Sequence, residues 1–179
     1  MILTSSLQTD LQAVSEKLIR QLQRFTPDTF HKKPDPESWS AAEVGEHILI
    51  VNKNLGFVMQ AGGIIPDRAP DKKLSAFKEV LLNRTIKIEA PENVKPVGAI
   101  QEQQEIIVGL QKQLQVLLQA IEEKELSELC EAYPHPRLGR LTRLEWSYFI
   151  IYHTERHSQQ LEDIYKKLVA NADEQVKVE

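Results

Sequence analysis

A single cysteine, Cys130, stands among 179 residues, so no internal disulfide framework can staple this chain. That scarcity suits a reducing compartment, and a cytoplasmic protein is the expectation. Glycine, at 7, and proline, at 9, are too few for a collagen-like or low-complexity chain. No apolar run reaches the ~18 residues of a membrane span. The stretch from Met1 to Asp10 has neither the basic start nor the apolar segment of a secretory signal, so neither a signal peptide nor a membrane partner is expected. An excess of positive charge is also missing. Lys+Arg total 22 against 26 Asp+Glu, a net charge of −4, which argues against nucleic acid as a partner. Gly62-Gly63 is not followed by Lys and Ser or Thr, so there is no phosphate-binding loop. There is no Gly-x-Ser-x-Gly elbow and no clear carboxylate pair. Cys130, between Leu129 and Glu131 with no cation beside it, is not primed as a thiolate.

What the chain does have is apolar content, 41% of residues. That is enough for one domain with a real core over residues 1–179. The apolar residues recur at helical spacing. Leu3, Leu7, Leu11, Val14, Leu18, Leu22 and Phe25 form one face of a first helix, which Pro27 ends. Trp39-Ser40-Ala41-Ala42-Glu43-Val44 holds a capping box, Ser40 with Glu43, flanked by the hydrophobic staple Trp39 and Val44. It predicts a second helix from about Ser40 to Ala61, with Val44, Ile48, Val51, Leu55 and Val58 inward. A third runs from about Gly98 to Glu123 on Ile100, Ile107, Leu110, Leu114, Leu117 and Ile121, with a Gln-rich outer face. Thr142 and Glu145 form a second capping box, stapled by Leu141 and Trp146, and predict a fourth helix to about Ala170. Residues 171–179 form a polar tail.

Residues 62–98 are the least regular, with Pro66, Pro70, Pro91 and Pro96. A short helix at Lys72–Leu82 is expected there, and Thr85–Ile88 reads as extended without predicting a sheet. Four long helices joined by long crossovers predict an all-α four-helix bundle.

Five histidines are the chemistry-bearing residues. His153 and His157 are four apart on the last helix, about 40° apart around it and one turn along it, so both rings can reach one ion. They share their face with Trp146, Phe149, Ile150, Leu161, Ile164 and Leu168, the core seam, where an imidazole must find a hydrogen-bond partner or a metal. His47, between Val44 and Val51, faces inward on the second helix. A lone histidine there is most often a satisfied core residue; with His153 and His157 it makes a three-imidazole site with one open position. His31 and His135 lie in connectors and are expected at the surface, His135 near the mouth of such a site. His153-Thr154-Glu155-Arg156-His157 is not the zincin motif. There the Glu directly follows the first His, whereas Glu155 points about 200° round the helix from His153.

Two blocks then carry a family resemblance. Glu37-Ser38-Trp39-Ser40-Ala41-Ala42-Glu43-Val44-Gly45-Glu46-His47 resembles the opening of the second helix in the DinB-like (DinB/YfiT) superfamily. Gly139-Arg140-Leu141-Thr142-Arg143-Leu144-Glu145-Trp146, running on to His153-Thr154-Glu155-Arg156-His157-Ser158-Gln159-Gln160, resembles that family's last helix. Together they span most of the chain. The resemblance implies a divalent ion, nickel or zinc, on His47, His153 and His157. It also implies a metal-dependent enzyme acting on a small molecule: an S-transferase using a low-molecular-weight cellular thiol, or a hydrolase. A homodimer is implied as well. Arg156 and Gln160 recur in the motif, and Arg156 reads as a structural or rim residue rather than a ligand. The competing readings are a non-catalytic metal-binding bundle and an interaction module docking its partner on the Gln-rich helix.

Overall fold

The structure, a computed structural model, describes residues 4–100 and 102–176, with side chains described through residue 170. Among them α-helices follow in the order α1 (Thr4–Leu22), α2 (Pro27–Phe30), α3 (Ala41–Gln60), α4 (Leu74–Leu82), α5 (Gln103–Glu123) and α6 (Arg143–Val176). Two short strands, β1 (Gly63–Ile64) and β2 (Leu129–Cys130), pair antiparallel, Gly63 opposite Cys130 and Ile64 opposite Leu129. α1 packs on α5 and α6, and α3 packs on the same two. The result is the expected four-helix bundle, with α1 and α3 on one diagonal. The short α4 lies outside the bundle, against α6.

Both expected capping boxes are in place. Ser40 Oγ accepts from Glu43 N at 3.2 Å, and Glu43 Oε2 accepts from Ser40 N at 2.7 Å. Thr142 Oγ1 accepts from Glu145 N at 3.1 Å, and Glu145 Oε2 accepts from Thr142 N at 3.0 Å. A third box, Thr26 with Thr29, starts the one-turn α2, which no apolar periodicity announces.

The helix expected from Gly98 begins at Gln103 instead. Gly98 sits at φ 70°, outside helical space. Its N–H and that of Ala99 donate to the buried carboxylate of Glu46 at 2.9 and 3.0 Å. At the other end, the backbone of α6 continues past Ala170 to Val176, so most of the expected polar tail is helical. Residues 177–179 and Leu3 lie outside the described residues. Residues 85–88 form no strand; the small sheet lies at 63–64 and 129–130 instead.

The core falls into two clusters. One includes Val51, Leu55 and Val58 of α3 with Trp146 and Ile150 of α6. The other includes Val44 and Ile48 of α3 with Leu161, Ile164 and Leu168 of α6. Along α6, His153 and His157 fall between the two, and on α3 His47 sits at the edge of the second, between Val44 and Ile48. α3 meets α5 closely: a Cβ added at Gly45 would lie 2.9 Å from Ile106 Cγ2, and one at Gly109 would lie 2.8 Å from Leu49 Cδ2. No helix among the described residues is long and apolar enough to cross a membrane.

Candidate metal centre

His47 comes from α3, and His153 and His157 from consecutive turns of α6. Their Nε2 atoms converge. His153 Nε2 lies 3.3 Å from His47 Nε2 and 3.2 Å from His157 Nε2. The ligand atoms all fall within 4.8 Å of one another. An ion bound tetrahedrally at about 2.0–2.1 Å separates its nitrogens by about 3.3 Å, so the two short separations fit a shared ion.

The other ring nitrogens set the tautomers. His47 Nδ1 is 2.7 Å from the carbonyl oxygen of Val94, and His157 Nδ1 is 2.8 Å from Gln160 Oε1. Both partners accept only, so both Nδ1 atoms carry the proton and both Nε2 atoms present lone pairs. Without an ion, His153 can donate one Nε2–H, which satisfies one of those lone pairs and leaves the other facing nitrogen. That mismatch in a buried setting is what a cation resolves.

Electrostatics act in the same direction. Burial lowers the pKa of all three imidazoles. His157 is pushed down to about 3, by burial first and then by the neighbouring His47, against the Gln160 hydrogen bond that favours its charged form. All three rings are therefore neutral at neutral pH, the form that ligates.

The cluster forms part of the wall of a cavity of about 1560 Å³. Trp39, expected as a staple, also covers the site: its ring lies 5.0 Å from that of His47 and stacks at 6.4 Å on that of His157. Residues 62–98, the least regular part of the sequence apart from the expected short helix, found as α4, supply one wall and the Val94 carbonyl. Arg156 is structural, as its position suggested. Its guanidinium donates to the carbonyls of Leu81, Asn83 and Ile86 and so ties the end of α4 and the following loop to α6.

The remaining candidates separate as their sequence positions suggested. Glu155 points to α1, paired with Lys17 at 2.8 Å. His31 is exposed and outside the cluster. His135 lines the cavity. Cys130 is fully buried, and burial pushes its thiol up to about 11. The Gln-rich face of α5 is solvated: Gln104, Gln111, Gln115 and Gln119 are exposed, with Val108 a lone apolar residue among them.

A four-helix bundle with three convergent imidazoles in a cavity wall belongs to the class of helical bundles whose facing helices could hold a cation between them. The chain belongs to the DinB superfamily, whose family model matches residues 10–161, a span that includes all three histidines. It is similar to the uncharacterized protein YuaE of Bacillus subtilis (strain 168), 26% identical over 156 residues that cover 83% of this chain and 90% of YuaE. Its fold is similar to the crystal structure of TT2238, a four-helix bundle protein. The TM-score is 0.56 at 18% identity, over 90% of this chain and 99% of TT2238.

Proposed function

We infer that the protein is a metal-dependent enzyme whose divalent ion, zinc or nickel, is held by His47, His153 and His157, and that it transfers a low-molecular-weight thiol to a small electrophilic substrate. The observation that carries the reading is the convergence of three Nε2 atoms, two with tautomers fixed to present lone pairs, in the wall of a large cavity. Among the described residues the group has no fourth His, Cys, Asp or Glu, which supports an open catalytic site over a closed structural one. A divalent ion there supplies the acidity that makes a bound thiol or water a nucleophile at neutral pH.

The chain's own residues do the rest. The Val94 carbonyl and Gln160 hold two imidazoles in register, and Trp39 shields them from water. A cavity of about 1560 Å³ exceeds the roughly 300–1000 Å³ usual for one small ligand. That room favours a two-substrate transfer over hydrolysis. In the transfer, the thiol gives its proton to solvent, its sulfur forms the bond to the electrophilic carbon, and the leaving group departs with its electron pair.

The test is metal analysis of protein purified without an affinity tag, followed by a screen of cellular thiols against electrophiles. Near-stoichiometric zinc or nickel and metal-dependent thiol consumption are expected. Absence of metal, together with no change in melting temperature on adding either ion, contradicts the reading.

A further inference from the structure

The cavity is not uniform along α6. Trp146, Phe149, His153, His157 and Gln160 all line it, and their spacing of three and four residues places them in one stripe. The stripe changes character along its length, from aromatic through imidazole to polar. Its aromatic end is a compartment closed by rings from three elements. Phe149 of α6 contacts Trp146 at 5.4 Å, Phe77 of α4 at 5.5 Å and His135 of the α5–α6 connection at 5.7 Å. The same Phe149 ring stacks on His153 at 5.3 Å with the planes 13° apart. A group seated in the compartment is thus one ring away from the imidazole cluster.

Two ring N–H donors in the compartment have no acceptor among the described residues, and of the two only that of Trp146 is buried. Trp146 is 1% exposed, and its Nε1–H is buried without a partner among the described residues. His135 Nδ1 accepts from the backbone N–H groups of Arg137 and Leu138, both at 3.2 Å. That leaves the proton on Nε2, which makes no hydrogen bond among the described residues. The two rings are 5.9 Å apart. A buried donor without an acceptor costs free energy, and a ligand oxygen restores it. Tyr133, 37% exposed, lies 6.3 Å from the indole at the edge of the compartment.

We propose that this aromatic compartment binds a planar aromatic group bearing an oxygen acceptor, its ring packed on Phe149 and its oxygen accepting from Trp146 Nε1–H and His135 Nε2–H. On the transferase reading above, the compartment is the seat of the electrophilic substrate; binding itself needs no metal.

The probe is acetophenone, a neutral aryl ketone, with cyclohexyl methyl ketone as the non-planar control carrying the same acceptor. The two tryptophans, Trp39 and Trp146, report separately through their indole N–H resonances in nitrogen-15-labelled protein, metal-free and zinc-loaded. Acetophenone should move the Trp146 resonance downfield in both states and bind about fivefold more tightly than the cyclohexyl ketone. His135→Asn keeps an acceptor for the turn and removes the Nε2–H; it should weaken acetophenone about fivefold, the loss of one hydrogen bond. Trp146→Phe, checked for folding by its circular dichroism, should do the same. Equal affinity for the two ketones, unchanged affinity in His135→Asn, or a shift confined to Trp39 or to the zinc-loaded state overturns the proposal. A protein that binds acetophenone at Trp146 yet takes up no metal keeps the compartment and refutes the transferase reading. One that binds metal but no acetophenone does the reverse.

Discussion

Two of the three clustered imidazoles donate to an oxygen that favours their charged form, yet burial outweighs it, and the consequence is a pH dependence. His157 titrates at about 3 in the folded protein against 6.5 for an ordinary histidine, because burial penalises its charged form. Between those values the unfolded chain binds more protons, so stability rises with pH there. The contribution is complete above pH 6.5 and is lost as pH falls towards 3. The metal-free protein should therefore melt at progressively lower temperature below pH 6.5, with a shallower dependence in His157→Gln; parallel curves would contradict the assignment. Cys130 gives a second residue-scale prediction. With its thiol at about 11 and its side chain fully buried, iodoacetamide should label it only as the protein unfolds, at a rate that mass spectrometry shows tracking denaturant. Labelling of the native protein at pH 7 within minutes would mean that it is open to solvent. At this scale the sequence was informative where chemistry is local. His153 and His157 are legible as a pair because four residues make about one helical turn. Their partners Val94 and Trp39 are not, because a carbonyl leaves no side-chain signature and the indole's second role depends on how α3 meets α6.

Among the elements, the N-terminus of α6 has the most specific construction. Glu145, with no side-chain exposure, closes the capping box and also accepts from Arg68 at 2.7 and 2.8 Å and from the Lys73 backbone N–H at 2.9 Å. One carboxylate thus ties the start of α6 to the segment leading into α4, which forms a cavity wall. Glu145→Ala leaves the Arg68 guanidinium without its partner and should cost about 3 kcal/mol in chemical denaturation. Ser40→Ala, which removes a cap and leaves no buried charge, should cost about 1 kcal/mol. Equal losses would mean that the Arg68 pair adds nothing. The capping boxes were readable because both members lie within four residues. The late start of α5 was not, because the Gly98 and Ala99 N–H groups turn to Glu46, some fifty residues earlier in the chain. The 62–98 segment hid its role for a related reason. Outside the short helix, which was legible, it has no periodicity of its own and is fixed by contacts such as those from Arg156 to Leu81, Asn83 and Ile86.

At the scale of the whole molecule, His153 and His157 occupy the break along α6 between two apolar core clusters, and His47 meets them from the edge of one. Polar groups placed there weaken the bundle unless something binds them, so an ion bound by the three histidines would be coupled to the fold. The bundle itself was legible from four apolar stripes; the cavity was not, because its walls come from α3, α4, α6 and the connectors around them, which meet only in the folded chain. The account requires one ion on three histidines, and calorimetric titration of zinc into metal-free protein measures that directly. One site per chain is predicted for the wild type and for His31→Ala, which lies outside the cluster, and its loss is predicted in His47→Ala, His153→Ala and His157→Ala. Zinc binding of equal affinity in all five proteins would contradict the account.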